Sequence, residues 1–351
     1  MTAAETVVVD PSLVAAVRFA ASLGPSRVHR EAMSIRASRV LRPAGAFARL
    51  DEVAVWLAGW QGSDRPTVER PGVLIFAADH GVAARGVSAY PAEATAAMTQ
   101  AIERRVATCS ALAHAQGASL TLIDVGVGRP TNDLAVDDAM DHDRFEASWA
   151  AGVEAVAGLD ADVLILGELG IGNTTSAAAV AACLLGGAAG EWAGRGTGVD
   201  DDGLGRKVDA IDAGVRRVGQ GTAAPLEVLR RLGGAELVAM AGAAVEARRR
   251  RLPIVLDGFI TTAALLPLEL TAPGALDHVV AGHVSAEGAH RRLLEHLGKR
   301  PLIELDLRLG EASGALIALP LLRLAVAAVV DVATFGEFST SYEDPIYEDP
   351  A

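Results

Sequence analysis

The segment LILGELGIGNTTSAAAVAACLLGG, residues 164–187, decides the fold. A short apolar run passes through Gly167, Gly170 and Gly172 and ends in a train of alanines. That order describes a strand delivering the chain through a glycine turn into a helix. The pattern recurs in GVLIFAADHG (72–81), LTLIDVGVG (120–128) and LPIVLDGF (252–259), with HVVAGH (278–283) a weaker fifth instance. Apolar runs alternating with helices predict βαβ units, hence an α/β chain with a parallel sheet covered on both faces. Three runs end in an acid, Asp79, Asp124 and Asp257, and the fourth has Glu168 one residue past its end. Ligands of open parallel sheets sit beyond the carboxyl ends of the strands, so these four carboxylates are expected around one crevice. Acids at such points also cap helices, and that competing role stays open for each.

Outward from the sheet, residues 1–61 carry helical apolar spacing, and GSDRPTVERPG (62–72) is polar and proline-bearing, as a linker would be. GALIALPLLRLAVAAVV (314–330) contains Pro320 and Arg323, and it is expected as a buried helix, short of a membrane span. The end, FSTSYEDPIYEDPA (338–351), repeats YEDP and lacks an apolar face, so a solvated tail is expected. With 351 residues there is ample length for a core, and at 51% hydrophobic but 4% aromatic that core is built from Ala, Val and Leu. A net charge of −13 argues against nucleic acid or an anionic membrane as partner, though not against one small phosphorylated ligand. Cys109 and Cys183 stand far apart in apolar surroundings, so they are expected as buried free thiols in a cytoplasmic protein. The start, MTAAETVVVDPSL, lacks the basic-then-apolar order of a signal peptide.

Several motifs bear on chemistry. The 167–175 loop brings glycine backbone close to any anion, and Thr174, Thr175 or Ser176 is expected to cap the following helix. Gly167 and Gly172 have Walker A spacing, but Asn173 stands where the lysine belongs, and no G-x-G-x-x-G is present. A second loop, GRGTGVDDDGLGRK (194–207), ends in Lys207, a point charge suited to phosphate or to simple surface solvation. His283, Glu287 and His290 fall on one face if 282–298 is helical throughout. Without His-Glu-x-x-His or a cysteine pair, no metal site is expected there. His80 follows a strand end and precedes a glycine-rich loop, where a pocket wall would lie. In LDLRLGEASGALIALP (305–320), Glu311 stands among small residues at the threshold of an apolar helix. Either a solvated loop acid or a partly desolvated base fits that placement.

In order along the chain, FAADHGVAARGVSAYPAEAT, LIDVGV, GELGIGNTTSAAA, GRGTGVDDDGLGRK, GGAELVAMAG, PIVLDGF, GHVSAEGAH, PLIELDLRLGEASGA and VATFGEF resemble the nicotinate-nucleotide:dimethylbenzimidazole phosphoribosyltransferase family. The resemblance spans residues 74–338 and has four departures. RPAGAFARLD (42–51) replaces a Pro-Pro-Gly-Ser-Leu-Gly-Arg-Leu-Glu pattern, and RVATCS (105–110) replaces Gly-Gly-Ala-Ala-Ile-Asn, with Arg105 at a glycine. Ala96 and Ala97 stand where a glutamine is usual, and Ala312 where a glycine follows the key glutamate. The side that would hold the base departs more than the phosphate side.

The resemblance implies a Rossmann-like domain over 63–310, a smaller helical domain from 1–62 plus 311–338, and an acidic tail over 339–351. It implies transfer of the 5-phosphoribosyl group of nicotinate mononucleotide to 5,6-dimethylbenzimidazole in cobalamin nucleotide-loop assembly. The products are α-ribazole 5′-phosphate and nicotinate, formed with inversion at C1′. It names Glu311 as the base and Glu168 as a second acid near the ribose. The nucleotide falls to Gly170, Gly172, Asn173, Thr174, Thr175, Gly196 and Lys207, and the base to His80, Ser88, His283 and Leu309. A cytoplasmic homodimer without cofactor or metal is implied. The alternatives are a relative that binds base or nucleotide without turnover, and one that takes a different base.

Overall fold

The computed structural model describes residues 9–341; the repeated YEDP of the expected tail lies outside the described residues. The chain enters through α1 (Pro11–Ser22), α2 (Arg27–Arg39) and α3 (Ala48–Gln61), then β1 (Pro71–Ala78), α4 (Ala94–Glu103), α5 (Thr108–Ala115) and β2 (Ser119–Gly126). It continues through α6 (His142–Ala157), β3 (Val163–Leu169), α7 (Asn173–Leu185), α8 (Ala189–Trp192), α9 (Asp201–Val218), α10 (Pro225–Leu232), α11 (Ala235–Arg249) and β4 (Ile254–Leu256). Last come α12 (Phe259–Thr271), β5 (Val279–Ala281), β6 (His283–Val284), α13 (Gly288–His296), β7 (Ile303–Glu304), α14 (Ser313–Val330) and α15 (Phe335–Ser341).

All five strands of the main sheet are parallel, in the order β2-β1-β3-β4-β5. The chain starts in the middle and moves out first one way and then the other, so the connections after β1 and β3 leave in opposite directions. Their carboxyl ends therefore part and open a crevice. The two-residue period of a strand divides β1 between two cores: Leu74, Phe76 and Ala78 on one face, Val73, Ile75 and Ala77 on the other. The first face carries α6, α7, α11 and α12; the second carries α3, α5 and α14. α1 packs on α11 through Val17 and Ala20, in the first layer, while α2, α3 and α14 pack together in the second.

Small residues set how closely these helices approach. A Cβ at Gly152 of α6 would fall 1.9 Å from the Ala239 carbonyl oxygen of α11, and one at Gly242 would fall 2.3 Å from that of Trp149. Helix α14 is long and apolar enough to cross a membrane by length and composition, contrary to expectation. Leu316, Leu319 and Leu322 are nevertheless buried against the sheet and α3, each contributing roughly 2 kcal/mol. Residues 62–72 are tied down more firmly than a linker implies. The Asp162 carboxylate accepts from Thr67 Oγ1 and from the Glu69 and Arg70 amides, and the Gln61 amide group brackets Thr67. The arginine run after Val245 serves a neighbour as well as its own helix end. Buried Arg248 lies 4.2 Å over the Trp60 ring and donates to the Ala20, Ala21 and Leu23 carbonyls, capping α1.

Candidate active site

Crevice chemistry starts at Glu311. Gly310, Glu311 and Ala312 have φ of 82°, 55° and 64°, three consecutive left-handed residues before α14. Only glycine visits this region without cost, so the turn is strained at two side-chain-bearing positions. It is held from behind. Asp257, at the end of β4, accepts the Ala315 amide at 2.9 Å, and His283 Nε2 stands 3.5 Å from the same Asp257 oxygen. The His283 ring occupies the space a Cβ at Gly314 would need, 2.1 Å away, which explains glycine there. Glu311 is 6% exposed and its Oε2 has no hydrogen-bond partner. Burial raises its pKa above the ordinary glutamate range; the Cys109 thiol opposes that, and the Asp257 charge adds to it.

Glu168 lies beside this turn. A Cβ at Gly310 would sit 2.5 Å from Glu168 Oε1, so glycine at 310 is what lets the turn pass the carboxylate. Asn173 donates its side-chain amide to Glu168 Oε2. Burial drives the Glu168 pKa well up, with the Asp257, Glu236 and Glu311 charges adding to the effect. Asp257, Glu236 and Glu311 each keep one buried oxygen unpartnered. Among the described residues no group of His, Cys, Asp and Glu side chains is arranged to hold a metal.

A cationic corner lies at the start of α7. Lys207 is 1% exposed and donates to Thr174 Oγ1 at 3.0 Å and to the Gly194 carbonyl at 2.8 Å. An ammonium has three donors, so one N–H remains for a ligand. Gly196, at φ 53°, passes so close that a Cβ there would stand 3.4 Å from Lys207 Nζ and 3.5 Å from Thr174 Oγ1. Burial lowers the Lys207 pKa, and the charge of Glu287 pulls it back up. Helix α7 begins at Asn173, and its N-cap is Gly172 at φ 96° without a side-chain cap. The expected capping by Thr174, Thr175 or Ser176 does not occur, because the glycine turn starts the helix one residue ahead of all three. Thr174 meets Lys207, Thr175 is fully buried with its hydroxyl unpartnered, and Ser176 turns to His80. Gly170 lies against His80, where a Cβ would meet the ring at 3.2 Å.

Two expected pocket walls lie behind the crevice instead. His80 bridges Ser176 Oγ at 3.0 Å and Glu236 Oε1 at 2.6 Å, with a fully buried side chain. Its order, serine–imidazole–carboxylate, resembles a nucleophilic relay, but Ser176 is itself 1% exposed and inside α7. The three side chains brace β1, α7 and α11 together. His283 is buried in the same way, beneath α14. His283, Glu287 and His290 do not share a helical face, since α13 begins only at Gly288 and His283 belongs to β6. His290 Nδ1 accepts the Ser285 amide, so Nε2 carries the proton and donates to Thr262. Ser88 and Leu309 occupy accessible loops, and Ser88 Oγ accepts the Tyr90 amide. The four strand-end acids do not all converge. Asp124 accepts the Gly126 and Val127 amides of its own turn and Asp79 the Gly128 amide, which leaves Glu168 and Asp257 at the crevice. Sequence reasoning passed over Glu236. The segment GGAE, two glycines before an acid at a helix start, was the available signal for Glu236.

A phosphoribosyltransferase family model matches residues 24–339. The nicotinate-nucleotide–dimethylbenzimidazole phosphoribosyltransferase of Cereibacter sphaeroides is 50% identical over 313 residues, covering 89% of this chain and 92% of the relative. The protein of that name from Ruegeria pomeroyi is 49% identical, covering 92% and 95%. The crystal structure of CobT from Thermus thermophilus superposes with a TM-score of 0.85 at 42% identity, over 89% of this chain and 98% of that one.

Proposed function

We infer that this chain, which belongs to the phosphoribosyltransferase family, moves the 5-phosphoribosyl group of nicotinate mononucleotide onto 5,6-dimethylbenzimidazole. The observation that carries the inference is Glu311: a buried carboxylate with a free oxygen, held by a left-handed turn at the crevice edge. The pyridinium of the donor already bears positive charge and leaves without protonation. The incoming azole must shed its N–H proton as it bonds to C1′, so one base suffices. A pKa raised by burial makes Glu311 a stronger acceptor than a solvated glutamate. Glu168, on the neighbouring strand end, is assigned to the ribose. Attack from the face opposite the leaving ring gives inversion, with one substrate group on each side of the sugar.

Phosphate goes to the corner where Lys207, Thr174 and Gly196 meet, close to the start of α7. Asn173 is assigned to holding Glu168, with Gly170, Gly172 and Thr175 shaping the turn. Ser88 and Leu309 are assigned to the base; His80 and His283 support the site from behind. We further propose a homodimer, since Tyr90, Leu305 and Leu309 leave apolar surface in the loops bordering the crevice. Two free buried thiols fit the proposed cytoplasmic placement. We also propose a larger lobe over 63–310 and a smaller helical one from both chain ends, with α1 joined to the larger through α11. The test is incubation with nicotinate mononucleotide and dimethylbenzimidazole, following α-ribazole phosphate by chromatography. Product that disappears in Glu311→Gln supports the reading, and absence of product with the unaltered chain overturns it.

A further inference from the structure

We propose that Asp257 is a positioning residue for the base: its carboxylate caps helix α14 from a neighbouring strand and thereby fixes the turn that presents Glu311. The inference rests on the assignment of Glu311 as base and adds the residue that acts through it. Helix α14 starts without a cap of its own. Its cap position is Ala312, at φ 64°, where no side-chain hydrogen bond is made. Ser313, Gly314 and Ala315 are buried, so the first-turn amides need acceptors from protein and not from water. Asp257 supplies one: Oδ1 accepts the Ala315 amide at 2.9 Å, four residues after Glu311.

The place of that acceptor is set by the sheet. β4 is flanked on both sides, with Leu256 paired to Leu166 of β3 and to Ala281 of β5. The left-handed run of Gly310, Glu311 and Ala312 therefore leads into a helix turn pinned to a rigid point. Strained backbone of this kind persists only where its surroundings over-determine it. Stability alone explains Asp257 poorly. Its side chain is buried, Oδ2 has no partner, and among the described residues its one hydrogen bond is the one to Ala315. His283 Nε2, 3.5 Å from Oδ1, is too distant to count as a second. Desolvating a carboxylate for a single backbone hydrogen bond costs more than the bond contributes. What the charge adds is a stiffer hold on the base turn, since an ionised acceptor bonds more strongly than a neutral one.

The test is steady-state turnover of nicotinate mononucleotide with two acceptor bases. Asp257→Ala is expected to lower kcat with dimethylbenzimidazole roughly ten- to a hundred-fold, the loss of one charge-assisted hydrogen bond felt at the base. KM for nicotinate mononucleotide should stay within about two-fold, because the phosphate corner is untouched. Asp257→Asn keeps the shape and a neutral acceptor, and it should regain most of the lost kcat. A nitro-substituted benzimidazole has a more acidic N–H and asks less of the base, so the loss with it should be smaller. A loosened fold would slow both acceptors alike. Unchanged kcat in Asp257→Ala, an asparagine variant no better than alanine, or equal losses with the two acceptors overturns the proposal. If the alanine chain does not fold, the asparagine variant carries the same comparison: its smaller loss must still be greater with dimethylbenzimidazole. Failure of the base assignment looks different, since Glu311→Gln would then retain turnover.

Discussion

Ala312 occupies a left-handed position, φ 64°, where the resembled family has glycine, and its methyl has to go somewhere. It goes to Gly167: a Cβ added there would meet the Ala312 Cβ and the Ala312 amide nitrogen, both at 2.9 Å. The glycine of the β3 strand end thus makes room for the alanine of the base turn. Left-handed backbone costs a non-glycine residue roughly 1–2 kcal/mol. Against that, the buried methyl contributes about 0.8 kcal/mol, and replacing alanine by glycine frees the unfolded chain by a further ~0.5–1 kcal/mol. The terms nearly cancel, so Ala312→Gly is expected to change stability by less than ~1 kcal/mol in urea unfolding. Gly167→Ala has no such balance, because one of its clashes is with backbone; a loss of roughly 2 kcal/mol or more is expected. Combining it with Ala312→Gly should recover part of that loss, since the methyl contact goes and the amide contact stays. Simple additivity in this double-mutant cycle would show that the two positions are not coupled.

Helix α9 carries the lysine that the phosphate assignment depends on. Asp200 caps it, accepting the Gly203 amide at 2.7 Å, and Lys207 stands on its buried face beside α7. Methionine at 207 keeps the length and the burial but removes all three donors. Loss of a charge-assisted hydrogen bond is worth roughly 1.5–3 kcal/mol. Lys207→Met is therefore expected to lower kcat/KM for nicotinate mononucleotide by about ten- to a hundred-fold. Most of that change should fall in KM, because the phosphate is bound in ground state and transition state alike. A variant with unchanged KM would move the phosphate elsewhere. Asp200→Ala tests the element itself: losing the cap costs about 1 kcal/mol of stability, with a smaller rise in KM as the first turn frays. Two elements show why local reading stops where it does. Thr174, Thr175 and Ser176 are good caps by residue type, but the cap position depends on where a glycine turn closes, and that is set by packing around Gly170. His283 and His290 have helical spacing, yet a strand pairing with β7 claims the first of them.

Across the whole molecule, what was legible from sequence was what is encoded within a few residues. Apolar runs ending in acids or glycines marked the strands, and the glycine loop and Glu311 turn marked the crevice before any contact was known. What was not legible depends on strand order and burial. Asp124 and Asp257 have the same signature, but β2 lies at the sheet edge and β4 inside it, so one acid holds its own turn and the other holds α14. Buried charge also gives the protein an unusual pH dependence. Burial pushes His278 and His290 down to about 3, and a neighbour adds to it in each case, Arg248 for the first and His283 for the second. The unfolded chain binds those two protons near pH 6.5, so stability is full above that value and is lost as pH falls toward 3. Glu168 and Glu311 act the other way. Their folded pKa values are raised, so their contribution is full below the ordinary 4.5 and is lost as pH rises through the folded values. Above pH 4.5 the two glutamates thus oppose the two histidines for as long as each glutamate keeps its proton. Glu168→Gln removes one opposing proton. Its stability relative to wild type is expected to climb by about 1.4 kcal/mol per pH unit above 4.5, for as long as wild-type Glu168 keeps its proton. Urea midpoints for the two proteins at pH 5, 6 and 7 should then diverge with rising pH. Parallel profiles would mean that Glu168 is ionised in the native protein across this range, with its charge balanced by something other than a proton.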